Sequence, residues 1–271
     1  MRTKKLNVGI GGLGAIGMAV VRALDAGVEG LQLAAVASRD LDKARQQIAG
    51  LKSAPIVVDA PALAEHADIV VECAPSSAFD TIAGNAVEQG RIFVPSSVGA
   101  LLTREALIER ARDTGARIVV PTGALLGLDA VRAASEGGIN SVTMVTRKPP
   151  GGLTGAPHLV DNDIDVSNLS VPLKVFDGTA RDGAKGFPAN VNVAAALSLA
   201  GIGPDQTMLE VWADPTVTRN THTIVVDAPS ARFEMKIENV PSEENPRTGK
   251  LTPLSVLATL RGLVSTLKVG T

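Results

Sequence analysis

The apolar positions of this chain show two textures, which change near residue 140. Up to there, short apolar runs alternate with stretches of helical spacing. Residues 6–10, 31–37, 56–59, 68–73, 92–95 and 117–120 read as strands, and 18–26, 41–49, 61–66 and 79–89 as helices. Thr103 is the expected N-cap of a further helix, with Glu105 and Ala106 in its first turn. The run from Asp68 to Cys73 is almost continuously apolar, as in a parallel strand buried on both faces. Strand and helix in turn predict a doubly wound parallel sheet.

The first strand opens into Gly12-Leu13-Gly14-Ala15-Ile16-Gly17, and the first helix follows. G-x-G-x-x-G between a strand and a helix is a dinucleotide fingerprint. Gly12 permits the tight turn, Gly14 lets a pyrophosphate approach the backbone, and Gly17 lets helix and strand pack closely. Ala15 and Ile16 open the helix, whose terminal N–H groups and dipole favour phosphates. Ala74 lies just beyond the 68–73 strand, where such sheets take ligands. Ser38, 21 residues after Gly17, takes the place where an NAD-selective fold often carries an acid, with Arg39 beside it and Asp40 displaced. A small hydroxyl followed by arginine suits a 2′-phosphate, so NADP is expected to be accepted as well as NAD. Read instead as ordinary turn residues, Ser38 and Arg39 leave the preference open.

From Asn140 onward strands dominate. Residues 141–146, 173–176, 208–213, 221–227 and 231–238 have strand character. A polar, glycine-rich stretch fills 148–167, a glycine-rich loop 177–186, and a helix 193–200. Phe233, Met235 and Ile237 share one face of their strand, and Arg232, Glu234, Lys236 and Glu238 the other. That period of two marks an antiparallel sheet with one wet face. A polar linker, 241–250, leads to a final helix, 253–267, expected to pack back on the first domain. The expected fold is α/β: a Rossmann-type doubly wound parallel sheet over residues 1–122, to which 246–271 return. An α+β domain on a largely antiparallel sheet is expected over 123–245.

Composition narrows the class. At 271 residues, 45% hydrophobic and 20% charged, the chain can bury a sizeable core in about two domains. A formal net charge of -2 without a long basic run points away from nucleic acid and anionic membranes. No run approaches about 18 uninterrupted apolar residues, so no membrane partner is expected. The basic start, MRTKK, leads into the glycine motif rather than an apolar signal region. A single cysteine excludes an internal disulfide framework, and a reducing, cytoplasmic setting is expected.

Of three histidines, His66 reads as solvated on a short helix, and His158 follows Gly155-Ala156-Pro157 in a loop. His222 begins a strand just after Arg219-Asn220-Thr221, in the domain that must supply the substrate half of a site. A dehydrogenase of an alcohol or amine needs a group that exchanges a proton as hydride moves, and histidine is the usual one. Cys73 as a thioester-forming nucleophile would point to a semialdehyde substrate, but inside a strand it reads as a small buried hydrophobe. Lys185, the Schiff-base candidate, lies in a loop with no evident desolvating pocket. No His or carboxylate spacing matches a metal site, so no metal is expected.

Five stretches together resemble the L-aspartate dehydrogenase family, over nearly the whole chain. They are residues 9–17, Val71-Glu72-Cys73-Ala74, Pro121-Thr122-Gly123-Ala124-Leu125-Leu126-Gly127-Leu128-Asp129, Phe187-Pro188-Ala189-Asn190-Val191-Asn192 and Arg219-Asn220-Thr221-His222. The first two occur in many dinucleotide enzymes, and the last three are far more specific. The resemblance implies NAD(P)-dependent oxidation of L-aspartate to iminoaspartate, feeding NAD synthesis or hydrolysing to oxaloacetate and ammonia. It implies His222 as the catalytic residue, and Ala124 and Asn190 as contacts of the cofactor's nicotinamide end. Two substrate carboxylates need cations or N–H donors, with Arg147, Lys148, Lys185 and Arg219 as candidates. The competing expectations are a related reductase of the homoserine-dehydrogenase or dihydrodipicolinate-reductase type, and a non-catalytic NADP sensor. Against the reductases stand the lack of a thiol suited to semialdehyde chemistry and of a paired-histidine and lysine signature. A homodimer is expected through the outer face of the second sheet.

Overall fold

The computed structural model describes residues 5–188, 191–245 and 248–270. The chain divides into two compact units, Met1–Pro121 with Thr252–Lys268, and Thr122–Leu251 with Val269–Thr271.

The first unit runs β1 (Leu6–Gly11), α1 (Ala15–Ala26), β2 (Leu31–Ala37), α2 (Leu41–Ile48) and β3 (Ile56–Val58). It continues with β4 (Ile69–Glu72), α3 (Ser76–Glu88), β5 (Ile92–Pro95), α4 (Glu105–Thr114) and β6 (Arg117–Ile118). The strands pair in parallel in the order β3-β2-β1-β4-β5-β6. Val8, Ile10, Ile69 and Val71 on the two central strands are wholly buried, which explains their unbroken apolar runs. The strand order reverses between β1 and β4, so the loops leaving these two flank the crevice where open α/β sheets take ligands. Several boundaries differ from the sequence pattern by one to three residues, and two of the differences concern β6 and α4. The strand predicted at 117–120 pairs only over Arg117–Ile118. The N-cap of α4 is Arg104 rather than Thr103, because Thr103 completes a preceding 3-10 turn, Val98–Thr103, and its hydroxyl faces the Ala100 carbonyl.

The second unit runs α5 (Leu128–Glu136), β7 (Ser141–Lys148), α6 (Pro157–Asp161), β8 (Leu173–Thr179) and α7 (Ala180–Gly186). Then come α8 (Asn192–Ala200), β9 (Thr207–Ala213), β10 (Thr221–Asp227) and β11 (Arg232–Glu238). The sheet order is β11-β10-β7-β9-β8, antiparallel throughout except for the parallel pair β7 and β9. Val131 of α5 and Ala194 and Leu197 of α8 pack with Val142, Met144, Leu209, Val211, Ile224 and Val226 in one core.

Three segments depart from the pattern read along the chain. Helix α5 has no counterpart in the sequence prediction. The loop predicted at 177–186 is the end of β8 and helix α7. There the Thr179 hydroxyl accepts the Asp182 N–H at 3.1 Å, and a side-chain cap of this kind offsets the cost of glycine inside a helix. Gly183 packs closely under β9: a Cβ there would lie 2.5 Å from Cδ2 of Leu209, so that side chain would have to move aside. His158 stands on α6 rather than in a loop, its ring packed on Phe176 and Phe187 at centroid distances of 5.3 and 5.4 Å.

The inner face of the second sheet changes character along its length. On β7 the buried positions are Val142, Met144, Thr146 and Lys148. On β10 the first three face Val226, Ile224 and His222 in register, and β11 adds Phe233, Met235 and Ile237 opposite those three. An apolar face therefore becomes polar at one end, on neighbouring strands. The last helix, α9 (Leu251–Val264), buries Val256 and Leu260 against Val8, Val20 and Leu31 in the core of the first unit.

Candidate active site

In the first unit, Gly12 has φ +97, and a Cβ there would lie 2.6 Å from the Cys73 carbonyl oxygen. A Cβ on Gly17 would lie 1.9 Å from the carbonyl oxygen of Gly12. The corner therefore closes only with glycine at both positions. Gly14, the N-cap of α1, is different: a Cβ there meets nothing within 4 Å. Open space at that point leaves the backbone approachable. Ala15 and Ile16 begin α1, whose N-terminus has no side-chain cap. Backbone N–H groups without a capping side chain, on a glycine-lined approach, form a donor set that fits a dinucleotide pyrophosphate.

Ala74 donates its N–H to Oε1 of Glu72 at 2.9 Å. Glu72 is wholly buried at the end of β4 and also accepts the N–H of Ser97 (3.0 Å) and its hydroxyl (3.0 Å). Burial pushes the Glu72 carboxyl up, and these donors oppose the shift. One acid thus ties together the loops that follow β4 and β5. The sequence reading includes Glu72 in a matched stretch but gives it no role, although an acid closing an unbroken apolar strand is a visible signal. Beside it, the Cys73 thiol is pushed up to about 12, first by desolvation and with help from the Glu72 charge, and lies 3.4 Å from the Ser96 hydroxyl. It stays a thiol and lacks nucleophilic character. Ser38 follows β2 directly, and its hydroxyl accepts the Asp40 N–H at 3.3 Å. The Asp40 carboxylate caps α2 by accepting the Lys43 N–H at 3.0 Å, while Arg39 is exposed.

In the second unit, His222 is 3% exposed, with Nδ1 3.2 Å from the Thr146 hydroxyl. Burial, reinforced by the Lys148 charge, pushes its imidazole down to about 3, so the ring is neutral. Lys148 is 6% exposed, and burial pushes its amine down to about 8. His222 and Lys148, which the sequence reading named for separate roles, thus lie within electrostatic reach of each other. Lys148 also lines a cavity of about 660 Å³, together with Phe187, Pro188, Arg219, Asn220 and Asn239. His222 is not among the lining residues but stands on the neighbouring strand.

The remaining candidates divide. Ala124 does not end a strand, since β6 stops at Ile118; its carbonyl accepts Nδ2 of Asn239 at 2.9 Å. Asn190 lies outside the described residues. Arg147 stacks on Trp212 at 4.6 Å and pairs with Asp214 at 3.0 Å. Lys185 is exposed and pairs with Asp182 at 3.1 Å. His66 is exposed. Among the described residues, no three His, Cys, Asp or Glu side chains converge as metal ligands. Nor is any described helix long and apolar enough to cross a membrane.

Comparison with known proteins connects the two units to one family. A family model described as homoserine dehydrogenase, NAD binding domain, matches residues 12–121, and one described as aspartate dehydrogenase, C-terminal, matches residues 129–263. An L-aspartate dehydrogenase of Bradyrhizobium diazoefficiens is 58% identical over 269 residues, 99% of this chain and 95% of that protein. L-aspartate dehydrogenase 3 of Bordetella bronchiseptica is 51% identical, covering 99% of this chain and 98% of its own length. The crystal structure of aspartate dehydrogenase from Thermotoga maritima is similar with a TM-score of 0.76 at 25% identity, over 98% of this chain and 99% of that one. With identity of this order along the whole length, and both the glycine corner and the buried histidine in place, the chain belongs to the L-aspartate dehydrogenase family.

Proposed function

We propose that this protein carries out the NAD(P)-dependent oxidative deamination of L-aspartate to iminoaspartate, which feeds NAD synthesis or hydrolyses to oxaloacetate and ammonia. The observation that carries this reading is His222: a neutral, buried imidazole fixed by Thr146 and set beside a cationic lysine that lines a cavity. In this proposal residues 1–122, with 246–271, hold the dinucleotide, and residues 123–245 hold substrate and catalytic base.

Oxidation of an amine needs the nitrogen lone pair, so an ammonium proton must leave before the C=N bond can form. His222 takes that proton. The role requires Nδ1–H to donate to the Thr146 oxygen, which leaves Nε2 to accept. The nicotinamide, when bound, supplies the hydride acceptor. Gly12, Gly14, Ala15 and Ile16 would hold the pyrophosphate, Ala74 would border it, and Ser38 and Arg39 would face the adenosine ribose with or without its 2′-phosphate. Ala124 and Asn190 would contact the nicotinamide end. A protonated Cys73 speaks against a thioester-forming semialdehyde enzyme. A cytoplasmic location and a homodimer belong to the same proposal. The outer face of the second sheet, with Val145, Trp212 and Val225 half-buried, supports the dimer.

The test is the appearance of reduced nicotinamide with NAD or NADP and a panel of L-amino acids, for the native protein and His222→Ala. Signal with L-aspartate, lost in the variant while cofactor binding persists, is the expected result. No signal in either direction, with oxaloacetate plus ammonia as the reverse pair, overturns the reading in favour of a sensor or another small-acid reductase.

A further inference from the structure

We infer that Glu72 is a positioning residue for the nicotinamide half of the dinucleotide, because its carboxyl group holds the loops after β4 and β5 in the shape that receives it. The inference rests on the reading of the glycine corner as the dinucleotide site. Among the described residues of the first unit, Glu72 is the one buried acid. Its backbone pairs with Gly11 at the end of β1 on one side and with Pro95 at the end of β5 on the other. It therefore stands where three strands run out into the crevice. From there its side chain reaches the Ala74 N–H beyond its own strand, and the N–H and hydroxyl of Ser97 beyond the next. The first of these loops borders the corner directly, since a Cβ on Gly12 would lie 2.8 Å from Cα of Ala74.

Sheet order decides which half of the ligand is concerned. Ser38, at the end of β2, faces the adenosine ribose in the proposed mode, and β4 and β5 lie on the opposite side of β1. A dinucleotide with its pyrophosphate on the corner thus extends its nicotinamide half over the ends of β4 and β5. The corner itself is held from the β2 side, where Gly12 donates its N–H to the Ala37 carbonyl at 2.8 Å. It does not depend on Glu72, whereas the two loops do. Ala74 and Ser97 are half-buried, and Pro75 and Ser76 are exposed, so the carboxyl group lies beneath the rim they form. Each of its oxygens meets a backbone N–H, Oε1 that of Ala74 at 2.9 Å and Oε2 that of Ser97 at 3.0 Å. The position therefore calls for two acceptors at fixed places. Glutamine has the same length but one acceptor oxygen, and its amide would set N–H against N–H at one of the two loops. A buried donor left unmet is costly, and the loop relieves that cost by moving.

The test titrates two ligands by calorimetry into the full-length protein: NADH, and ADP, which keeps the adenosine half and the pyrophosphate but lacks the nicotinamide riboside. Glu72→Gln is expected to weaken NADH about tenfold and ADP less than about threefold, the mark of one unmet donor on the nicotinamide side. Ser97→Ala keeps both backbone contacts of the carboxyl group and removes the hydroxyl. It is expected to weaken NADH about threefold with ADP unchanged. In the double variant the two losses should not multiply, because both act through the same carboxyl group. Thermal unfolding checks that each variant is folded, and if Glu72→Gln does not fold, Ser97→Ala decides by the same comparison. NADH and ADP weakened equally, or neither weakened, overturns the inference and leaves Glu72 with a purely structural role. Native protein that binds neither ligand overturns the reading of the corner, and this inference with it, so the two failures are distinguishable.

Discussion

Thr146 and His222 face each other in register across β7 and β10, with the threonine hydroxyl 3.2 Å from Nδ1 of the imidazole. The bond fixes the ring and the nitrogen that remains for a proton. Thr146→Val keeps the volume and removes the bond. It is expected to lower kcat by about 10–100-fold, at or below the lower end of general acid–base contributions, since the threonine only orients the base, with KM for the cofactor unchanged. Thr146→Ser should restore most of the rate. Steady-state kinetics of the two variants decide it, and an unchanged kcat in Thr146→Val would remove the threonine from the mechanism.

Burial of a neutral His222 has a cost in acid. Its folded value is about 3 against an ordinary 6.5, so between those values the unfolded chain binds the extra proton. Stability therefore falls as pH drops through that window. Lys148, at about 8 against 10.5, has the same sign in its own window, and stability rises as pH climbs from about 8 to 10.5. Denaturant midpoints compared near neutrality and at about pH 4.5 should fall less for His222→Gln than for the native protein. Equal losses would mean that the imidazole is not held neutral.

Two glycines of the corner should respond differently to the same methyl group. At Gly17 it would meet backbone, the Gly12 carbonyl oxygen, at 1.9 Å. Gly17→Ala is expected to cost about 3 kcal/mol, read as a Tm lower by about 5–10 °C. At Gly14 the methyl meets nothing within 4 Å, so Gly14→Ala should fold normally and weaken the dinucleotide. Equal Tm losses in both variants would contradict the assigned roles.

Cofactor choice should depend on the end of β2. Arg39→Ala is expected to raise KM for NADP about tenfold while leaving NAD unchanged, in line with loss of one charged contact to a phosphate. Ser38→Asp should favour NAD, because Asp40, whose carboxylate caps α2, is already engaged. KM for each cofactor measures both effects. An equal effect on NAD and NADP would make Ser38 and Arg39 ordinary turn residues.

What could be read along the chain was local. The parallel sheet showed because strands buried on both faces must be apolar at every position, as Val8, Ile10, Ile69 and Val71 are. The glycine corner showed because its three positions lie within six residues. Helix α5 did not, since it buries only Val131 and Ala134, too few to show a helical period. Helix α7 did not, because a Thr179 cap and close packing under Leu209 hold a glycine-rich stretch that has little helical propensity.

By itself, then, the sequence determined the order of elements, the dinucleotide corner and the family resemblance that singled out His222. Tertiary structure decided what surrounds that histidine. Thr146 is 76 residues from it in the chain, and the contact between Asn239 and the Ala124 carbonyl spans 115. Such pairs are set by strand register, which follows from the whole pattern of burial rather than from any short motif. The same holds for charge. The alternation Val142, Met144, Thr146, Lys148 carries the lysine inward, and only the core packed around it turns an ordinary amine into the buried cation of the cavity.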